Sequence, residues 1–67
     1  MSPRLEHLEL EIERAEGALL PQVRRGLAER LGPDAEALRW AITAVTPPTG
    51  HGPARLTIEA VVLRWPL

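Results

Sequence analysis

The chain has 67 residues, of which 45% are hydrophobic and 25% are charged, and its formal net charge is −1. This composition is typical of one small globular domain, predicted here over 1–67, and it excludes an intrinsically disordered chain. A net charge near zero argues against nucleic acid or an anionic membrane as the main partner, and no segment has the ~18 consecutive apolar residues of a membrane span.

Alternation of apolar and polar residues over 6–14 predicts the first strand. The apolar positions are Leu8, Leu10 and Ile12, and the polar positions between and around them are His7, Glu9, Glu11 and Glu13. Successive side chains of a strand point to opposite faces. The pattern therefore predicts a strand with one buried face and one exposed, mostly acidic face.

The hydrophobic period changes after Gly17 and predicts an amphipathic helix that ends at Leu31. Its apolar stripe is predicted to consist of Leu20, Val23, Leu27 and Leu31. Pro21 is tolerated because it falls in the first turn, where backbone N–H groups have no helical acceptor, so the helix begins near residue 18 or 19. Gly32 and Pro33 predict its end.

Two further strands, at 37–46 and 54–65, flank a loop that is rich in proline and glycine. Centring this hairpin on His51 predicts which residues of the two strands face each other. The predicted pairs are Trp40–Val62, Ile42–Ala60 and Ala44–Ile58 on the buried face, and Ala41–Val61, Val45–Thr57 and Arg39–Leu63 on the other face. In this pairing Trp40 points toward the helix.

The element order strand, helix, strand, strand predicts an α+β fold of the βαββ type. A right-handed crossover makes the first two strands parallel. The third strand is the most apolar and is predicted to lie between them, antiparallel to both, so the sheet has the order 1-3-2. The helix covers one face of this three-stranded sheet and leaves the other face open.

Chain length limits the stability that one copy can supply. A domain of 67 residues buries barely enough apolar surface to offset its chain entropy. The sequence has no cysteine, which excludes disulfides and cysteine-containing zinc sites as additional supports. Association with further copies is the remaining common source of stability, so we expect a homo-oligomer.

The last strand is apolar on both faces, although one small domain can cover only one of them. Val61, Leu63 and Trp65 fall on the face that points away from the helix. Ala41 and Val45 of the neighbouring strand share this face in the predicted pairing. We therefore predict that these five residues form the interface of the homo-oligomer.

The N-terminal segment and the choice of basic residues bear on location and source. Residues 1–7 lack the apolar core of a signal peptide, so we expect a cytoplasmic protein. All eight cationic side chains are arginine, which codon bias in a GC-rich genome would explain. A thermophilic source would also fit the seven prolines and the absence of asparagine and cysteine.

Candidate catalytic groups are sparse. The two histidines, His7 and His51, are candidate proton carriers, but nothing in the predicted fold brings them together. His51, at the hairpin tip, could contact a ligand or a neighbouring subunit. Glu9, Glu11 and Glu13 would stand about 6.5–7 Å apart, as acid/base carboxylates can, yet a solvated or ion-paired face explains them more simply. With no cysteine and one serine in the chain, we expect no enzyme.

RNA binding is disfavoured as well. Arg24, Arg25 and Arg30 give the helix a basic side. Sheets that bind RNA stack bases on several aromatic side chains, whereas this chain has two tryptophans and no other aromatic residue.

Length, element order and the tripeptide Leu-Arg-Trp at 38–40 resemble the dodecins, small flavin-binding proteins that have a similar Leu-x-Trp at the start of their second strand. The comparable span is 10–40. The resemblance implies a hollow homododecamer in which Trp40 stacks on the isoalloxazine ring of a flavin. Where dodecins place a glutamine in the last strand, this chain has Thr57 and Glu59.

Two functions are therefore predicted. The leading one is a non-catalytic homo-oligomer that assembles through the open face of its sheet, with Trp40 as a core residue. The alternative is a dodecin-like oligomer that binds a flat aromatic ligand such as flavin at Trp40. No metal ligand is predicted, and flavin enters as a cofactor only under the alternative.

Overall fold

A computed structural model of the chain describes residues 2–66. Its elements, in chain order, are β1 (Arg4–Glu13), α1 (Leu19–Leu31), β2 (Ala35–Thr46) and β3 (Arg55–Arg64). The strands form one sheet in the order β1-β3-β2, in which β3 is antiparallel to both neighbours. The predicted βαββ fold is confirmed, including the central place of the third strand. The predicted domain 1–67 also includes Met1 and Leu67, which lie outside the described residues.

The core lies between α1 and the even-numbered residues of β3. Leu56, Ile58 and Val62 are fully buried, and Ala60 is 2% exposed. The other buried residues are Leu10 of β1 and Val23, Leu27 and Leu31 of α1. Among the described residues, β2 contributes none to this buried set, although four of its side chains pack against it. The helix therefore covers β1 and β3 well and β2 only in part.

Helix α1 begins at Leu19, as predicted, but its apolar stripe differs from the prediction in the first turn. Leu20 is 45% exposed, whereas Leu19 packs against the core. The row that faces the sheet is Leu19, Val23, Leu27 and Leu31, in which neighbours are four residues apart. Such a row is inclined to the helix axis, so the angle at which α1 crosses the sheet decides which of the two leucines is covered.

The loop between β1 and α1 is held by the side chain of Gln22. Its amide oxygen accepts a hydrogen bond from the Ala15 N–H at 2.8 Å. Its amide nitrogen donates to the carbonyls of Ala15 at 2.9 Å and Ala18 at 3.1 Å. Ala18 occupies the capping position and has no polar side chain to serve there. Gln22 thus supplies side-chain hydrogen bonds at the start of the helix, which the capping residue Ala18 cannot make.

Gly26 marks a close approach of α1 to β1. A β-carbon at this position would lie 2.7 Å from Cγ2 of Ile12, whereas non-bonded carbons prefer about 3.5–4.0 Å. In sequence terms Gly26 is only a weak point of the helix, since glycine costs up to about 1 kcal/mol relative to alanine. In the fold, the absence of a side chain at Gly26 lets the helix backbone pack directly against the side chain of Ile12.

The pairing of β2 with β3 differs from the prediction. The turn is closed by hydrogen bonds of 2.9 and 3.3 Å between Thr49 and Gly52, so the hairpin is centred just before His51. Irregularities at Leu38 and Thr43 shift the pairing twice more, as β-bulges do. The observed pairs are Trp40–Ala60, Ile42–Ile58, Ala44–Thr57, Ala41–Glu59, Val45–Leu56 and Arg39–Val61, so all six predicted pairs are wrong.

The two bulges decide which side chains of β2 face the helix. Trp40 and Ile42 lie on the helix side and pack against the core, as predicted. Ala44 and Val45 lie on the faces opposite to those predicted. Ala44 lies on the open side, and Val45, paired with the buried Leu56, lies on the helix side. Val45 is nevertheless 55% exposed, because α1 does not cover this end of β2. The prediction that Val45 belongs to the open face is wrong.

The molecule is elongated and exposes more surface than a compact chain of its length. Its extents are 48 × 18 × 17 Å and its radius of gyration is 13.3 Å, compared with about 11 Å for a compact domain of this length. The accessible surface is 4975 Å², compared with about 4,200 Å² for a monomer of this mass. The helix spans about 20 Å and β2 about 40 Å, so much of the sheet extends beyond the helix.

Replacing Gly26 with alanine tests the close approach to β1. In the wild-type background we expect Gly26→Ala to lower the free energy of unfolding by about 1 kcal/mol, because overpacking against Ile12 outweighs the gain in helix propensity. In an Ile12→Ala background, which lacks Cγ2, the same change should raise it by up to about 1 kcal/mol. Urea denaturation followed by circular dichroism at one protein concentration measures both. Equal effects in the two backgrounds would contradict the contact.

Candidate functional site

The open face, the sheet surface opposite α1, is the first of two candidate sites. Cross-strand pairing arranges its side chains in rows with one residue each from β1, β3 and β2. From first to fifth the rows are Leu5–Leu63–Glu36, His7–Val61–Arg39, Glu9–Glu59–Ala41, Glu11–Thr57–Ala44 and Glu13–Arg55–Thr46. We call the first two rows, together with Trp65, the apolar half and the last three rows the acidic half.

Large apolar side chains are exposed in the apolar half. Leu5 is 67% exposed and Trp65 is 43% exposed, while Val61 and Leu63 are half-buried. The Trp65 N–H donates to the Asp34 carbonyl at 2.9 Å, so the pairing of the last strand, and with it the alternation of faces, continues to this residue. These side chains form one apolar area at the end of the sheet.

Four of the five predicted interface residues share the open face. They are Ala41, Val61, Leu63 and Trp65. Val45 does not, because the bulge at Thr43 turns it to the helix side. Leu5 belongs to the same surface, but the alternating pattern in the sequence is clear only from residue 6 and does not select it.

Carboxylates crowd the acidic half. Glu9 faces Glu59 directly across β1 and β3, and like charges in such a pair are destabilising. Arg55 Nε lies 3.5 Å from a carboxylate oxygen of Glu11 and faces Glu13 in the same ladder. Within residues 2–66, neither Glu9 nor Glu59 forms an ion pair. This half of the face suits water or a cationic group and repels a second acidic surface.

The two histidines lie far apart. His7 pairs with Val61 in the second row. His51 lies in the turn of the hairpin, where its N–H donates to Thr49 Oγ1 at 3.1 Å. About 20 Å of β3 separates Val61 from the start of that strand, so the two imidazoles cannot act on one small substrate within a single copy. In the described part of the chain, no group of three or more His, Asp or Glu is placed to hold a metal ion.

Trp40 lines the second candidate site, a groove between α1 and β2. The groove has a volume of about 380 Å³, and its walls include Arg24, Leu27, Leu31 and Ala37. The Trp40 side chain is half-buried and packs against the core. Apart from Arg24, the side chains that line the groove are apolar, and the Arg24 guanidinium could bind an anionic group.

The sequence matches one family model over residues 4–64, described as a domain of unknown function, DUF8621. The chain belongs to this family. A search of curated proteins and a search of solved structures each found no match. The matched segment begins with the first residue of β1 and ends with the last residue of β3. The match thus covers all three strands and the helix. The resemblance to dodecins stays a prediction.

Arg64 connects three elements at the end of the sheet. Its Nε donates to the Glu6 carboxylate at 2.8 Å, and its Nη1 donates to the Leu31 carbonyl at 3.5 Å. Arg4 lies 3.2 Å from the other carboxylate oxygen of Glu6. The hydrogen bond from Arg64 holds the pKa of the Glu6 carboxyl below its usual value; desolvation opposes this lowering, and the charges of Arg64 and Arg4 reinforce it.

The pH dependence of stability tests this contact. A carboxyl whose pKa is lower in the folded state stabilises the fold fully above its unfolded-state pKa, here 4.5, and loses that effect as the pH falls through the folded-state value. We expect the difference in unfolding free energy between wild type and Glu6→Gln to be constant above about pH 5 and to shrink in more acidic solution. Urea denaturation across the acid range measures it.

An Arg64→Met background provides the control for this measurement. Without the Arg64 guanidinium, the acid-dependent part of the Glu6→Gln effect should be smaller, because Arg4 is then the one remaining ion-pair partner of Glu6 among residues 2–66. A Glu6→Gln effect that does not change with pH in the wild-type background would contradict the lowered pKa.

Proposed function

We propose that this chain is a non-catalytic subunit that assembles with copies of itself through the apolar half of the open face. The observation that supports this most directly is the exposure of large side chains there, 67% for Leu5 and 43% for Trp65, next to Val61 and Leu63. Single exposed apolar residues are normal on a monomer. A contiguous apolar area with a polar margin is typical of an interaction surface.

The size of the exposed surface supports the same proposal. The chain exposes 4975 Å², about 800 Å² more than a monomer of its mass. One partner in a stable protein interface buries about 800 Å². Assembly would therefore bring the exposed area per chain near the value of an ordinary compact protein, and it would add the burial that a core of this size lacks.

Within this proposal the chain is not an enzyme and acts in the cytoplasm. The distance between His7 and His51 and the single serine of the sequence favour a structural or binding role. Nucleic acid is not the proposed partner, because the acidic half of the open face would repel its phosphates. Among residues 2–66, the one helix has 13 residues and falls short of what a bilayer crossing needs.

A glutamate in place of Trp65 tests the proposed surface. Wild-type protein at high micromolar concentration should sediment as a species larger than the monomer. Trp65→Glu should weaken this association at least about tenfold, because a carboxylate would have to leave water in the contact. Sedimentation velocity over a range of concentrations measures the change.

Leu20→Glu is the matched control for this experiment. Leu20 is 45% exposed, almost as much as Trp65, but it lies on α1. Its replacement should leave the association unchanged. A wild-type protein that stays monomeric throughout, or two substitutions with equal effects, would refute the proposal.

A second candidate function is a dodecin-like oligomer that holds a flat aromatic ligand such as a flavin between Trp40 side chains. The observation that favours it is the groove beside Trp40, in which Arg24 stands at an otherwise apolar wall. An aromatic ring system with a phosphate tail would use both features, since guanidinium groups bind phosphate well.

Titration of flavin mononucleotide with the purified protein tests this alternative. Binding should quench the flavin fluorescence, and Trp40→Leu should weaken binding at least about tenfold by removing the stacking surface. Trp65→Leu is the control, because Trp65 lies outside the groove. A colourless protein that leaves the flavin fluorescence unchanged would eliminate the flavin hypothesis.

A further inference from the structure

We propose that the copy bound to the apolar half is related to the first by a two-fold axis. The axis lies between the two open faces, runs across the strands and passes between Val61 and Leu63, so that Glu36 of each copy faces Arg39 of the partner subunit. This inference rests on the proposed function. It goes further because it assigns one orientation to the second copy and one pairing of charges to the contact.

The charges of the first two rows supply the argument. Glu36 stands in the row of Leu63 and Arg39 in the row of Val61, and in residues 2–66 neither forms an ion pair. In a two-fold interface, if one residue meets a second, the second also meets the first. An axis between the two rows therefore makes the Glu36–Arg39 contact twice. It also packs Leu63 of each copy on Val61 of the partner subunit.

The remaining positions are compatible with this axis. Leu5 of one copy lies over His7 of the partner subunit, a contact without like charges. Trp65 lies one row beyond the first row, at the end of the sheet. In the proposed dimer it lies over Glu59 of the partner subunit. An indole N–H is a donor and a carboxylate accepts hydrogen bonds. Trp65 would thus approach a carboxylate that forms no ion pair within residues 2–66 of its own copy.

Other two-fold arrangements of the same face bring like charges together. An axis along β3 places Glu59 on Glu59 of the partner subunit. An axis through the first row places Glu36 on Glu36, and an axis through the second row places Arg39 on Arg39. Like charges that meet in an interface are strongly unfavourable. Of these four axes, only the one between the first and second rows combines apolar packing with opposite charges.

The acidic half stays mostly outside this contact. With the axis between the first and second rows, the fourth and fifth rows extend past the end of the partner's open face. Glu11 and Glu13 then remain in water, where carboxylates are best solvated. The division of the open face thus limits how far the two copies overlap.

Charge reversal tests this orientation. Glu36→Arg alone and Arg39→Glu alone should each weaken self-association by about 100-fold, because each creates two like-charge contacts per dimer. An equimolar mixture of the two variants should associate as wild type does, since arginine of one then meets glutamate of the other at both places. Sedimentation velocity and circular dichroism establish association and folding. Glu29→Arg, an exposed change on α1, is the control and should have no effect.

Thiol cross-linking provides a second measurement, because the natural chain has no cysteine. Facing sheets pack about 10 Å apart, which is too far for a disulfide, so a short bis-maleimide is the reagent. It should join Val61→Cys to Leu63→Cys in a mixture of the two variants, since these positions face each other across the proposed axis. Val61→Cys alone should cross-link less, because the two Val61 positions are offset by one row, about 7 Å, along the strands.

The outcomes separate this inference from the proposed function. A wild-type protein that never associates refutes the proposed function. A wild-type protein that associates, with single charge reversals that leave association unchanged or a mixture that does not restore it, refutes only the orientation. Cross-linking of Val61→Cys with itself that is as efficient as in the mixture would also refute the orientation, because the two Val61 positions would then face each other.

Discussion

Burial of the even-numbered side chains of β3 beneath α1 is the interaction on which the remaining structure depends. Leu56, Ile58 and Val62 leave water completely, which is worth about 2 kcal/mol for each. Because β3 lies between β1 and β2, this packing also positions both neighbours. It turns the odd-numbered residues of β3 to the opposite face, where no described element covers them. The exposure of Val61 and Leu63 is thus a consequence of how the core is built.

The division of the open face into an apolar and an acidic half has a physical consequence for any partner. Contact with the apolar half removes apolar surface from water and is favourable. Contact with the acidic half requires opposite charge, because Glu9 and Glu59 already face each other and neither forms an ion pair in the described part of the chain. Glutamates on the edge strand β1 also oppose unlimited growth of the sheet. The same residues therefore oppose aggregation through this edge.

The elements of this fold could be predicted from the sequence, whereas the pairing of its hairpin could not. Strand and helix boundaries agree with the residue pattern to within about two residues. The bulges at Leu38 and Thr43 leave no mark in that pattern, so the pattern predicts the wrong face for Val45. The choice between Leu19 and Leu20 depends on how the helix crosses the sheet. Four of the five residues predicted for the interface still lie on the open face, because β3 itself is regular.

The sequence by itself determined the element order, the faces of β1 and the presence of apolar residues on both sides of β3. Alternation and helical period are local properties of the backbone, and they remain visible in one dimension. Only the tertiary structure decided that Leu5 joins the apolar half, that Gly26 meets Ile12 and that Arg64 binds Glu6. These contacts join residues far apart in the chain, and their geometry follows from sheet twist, bulges and the packing of whole elements, which no local pattern encodes.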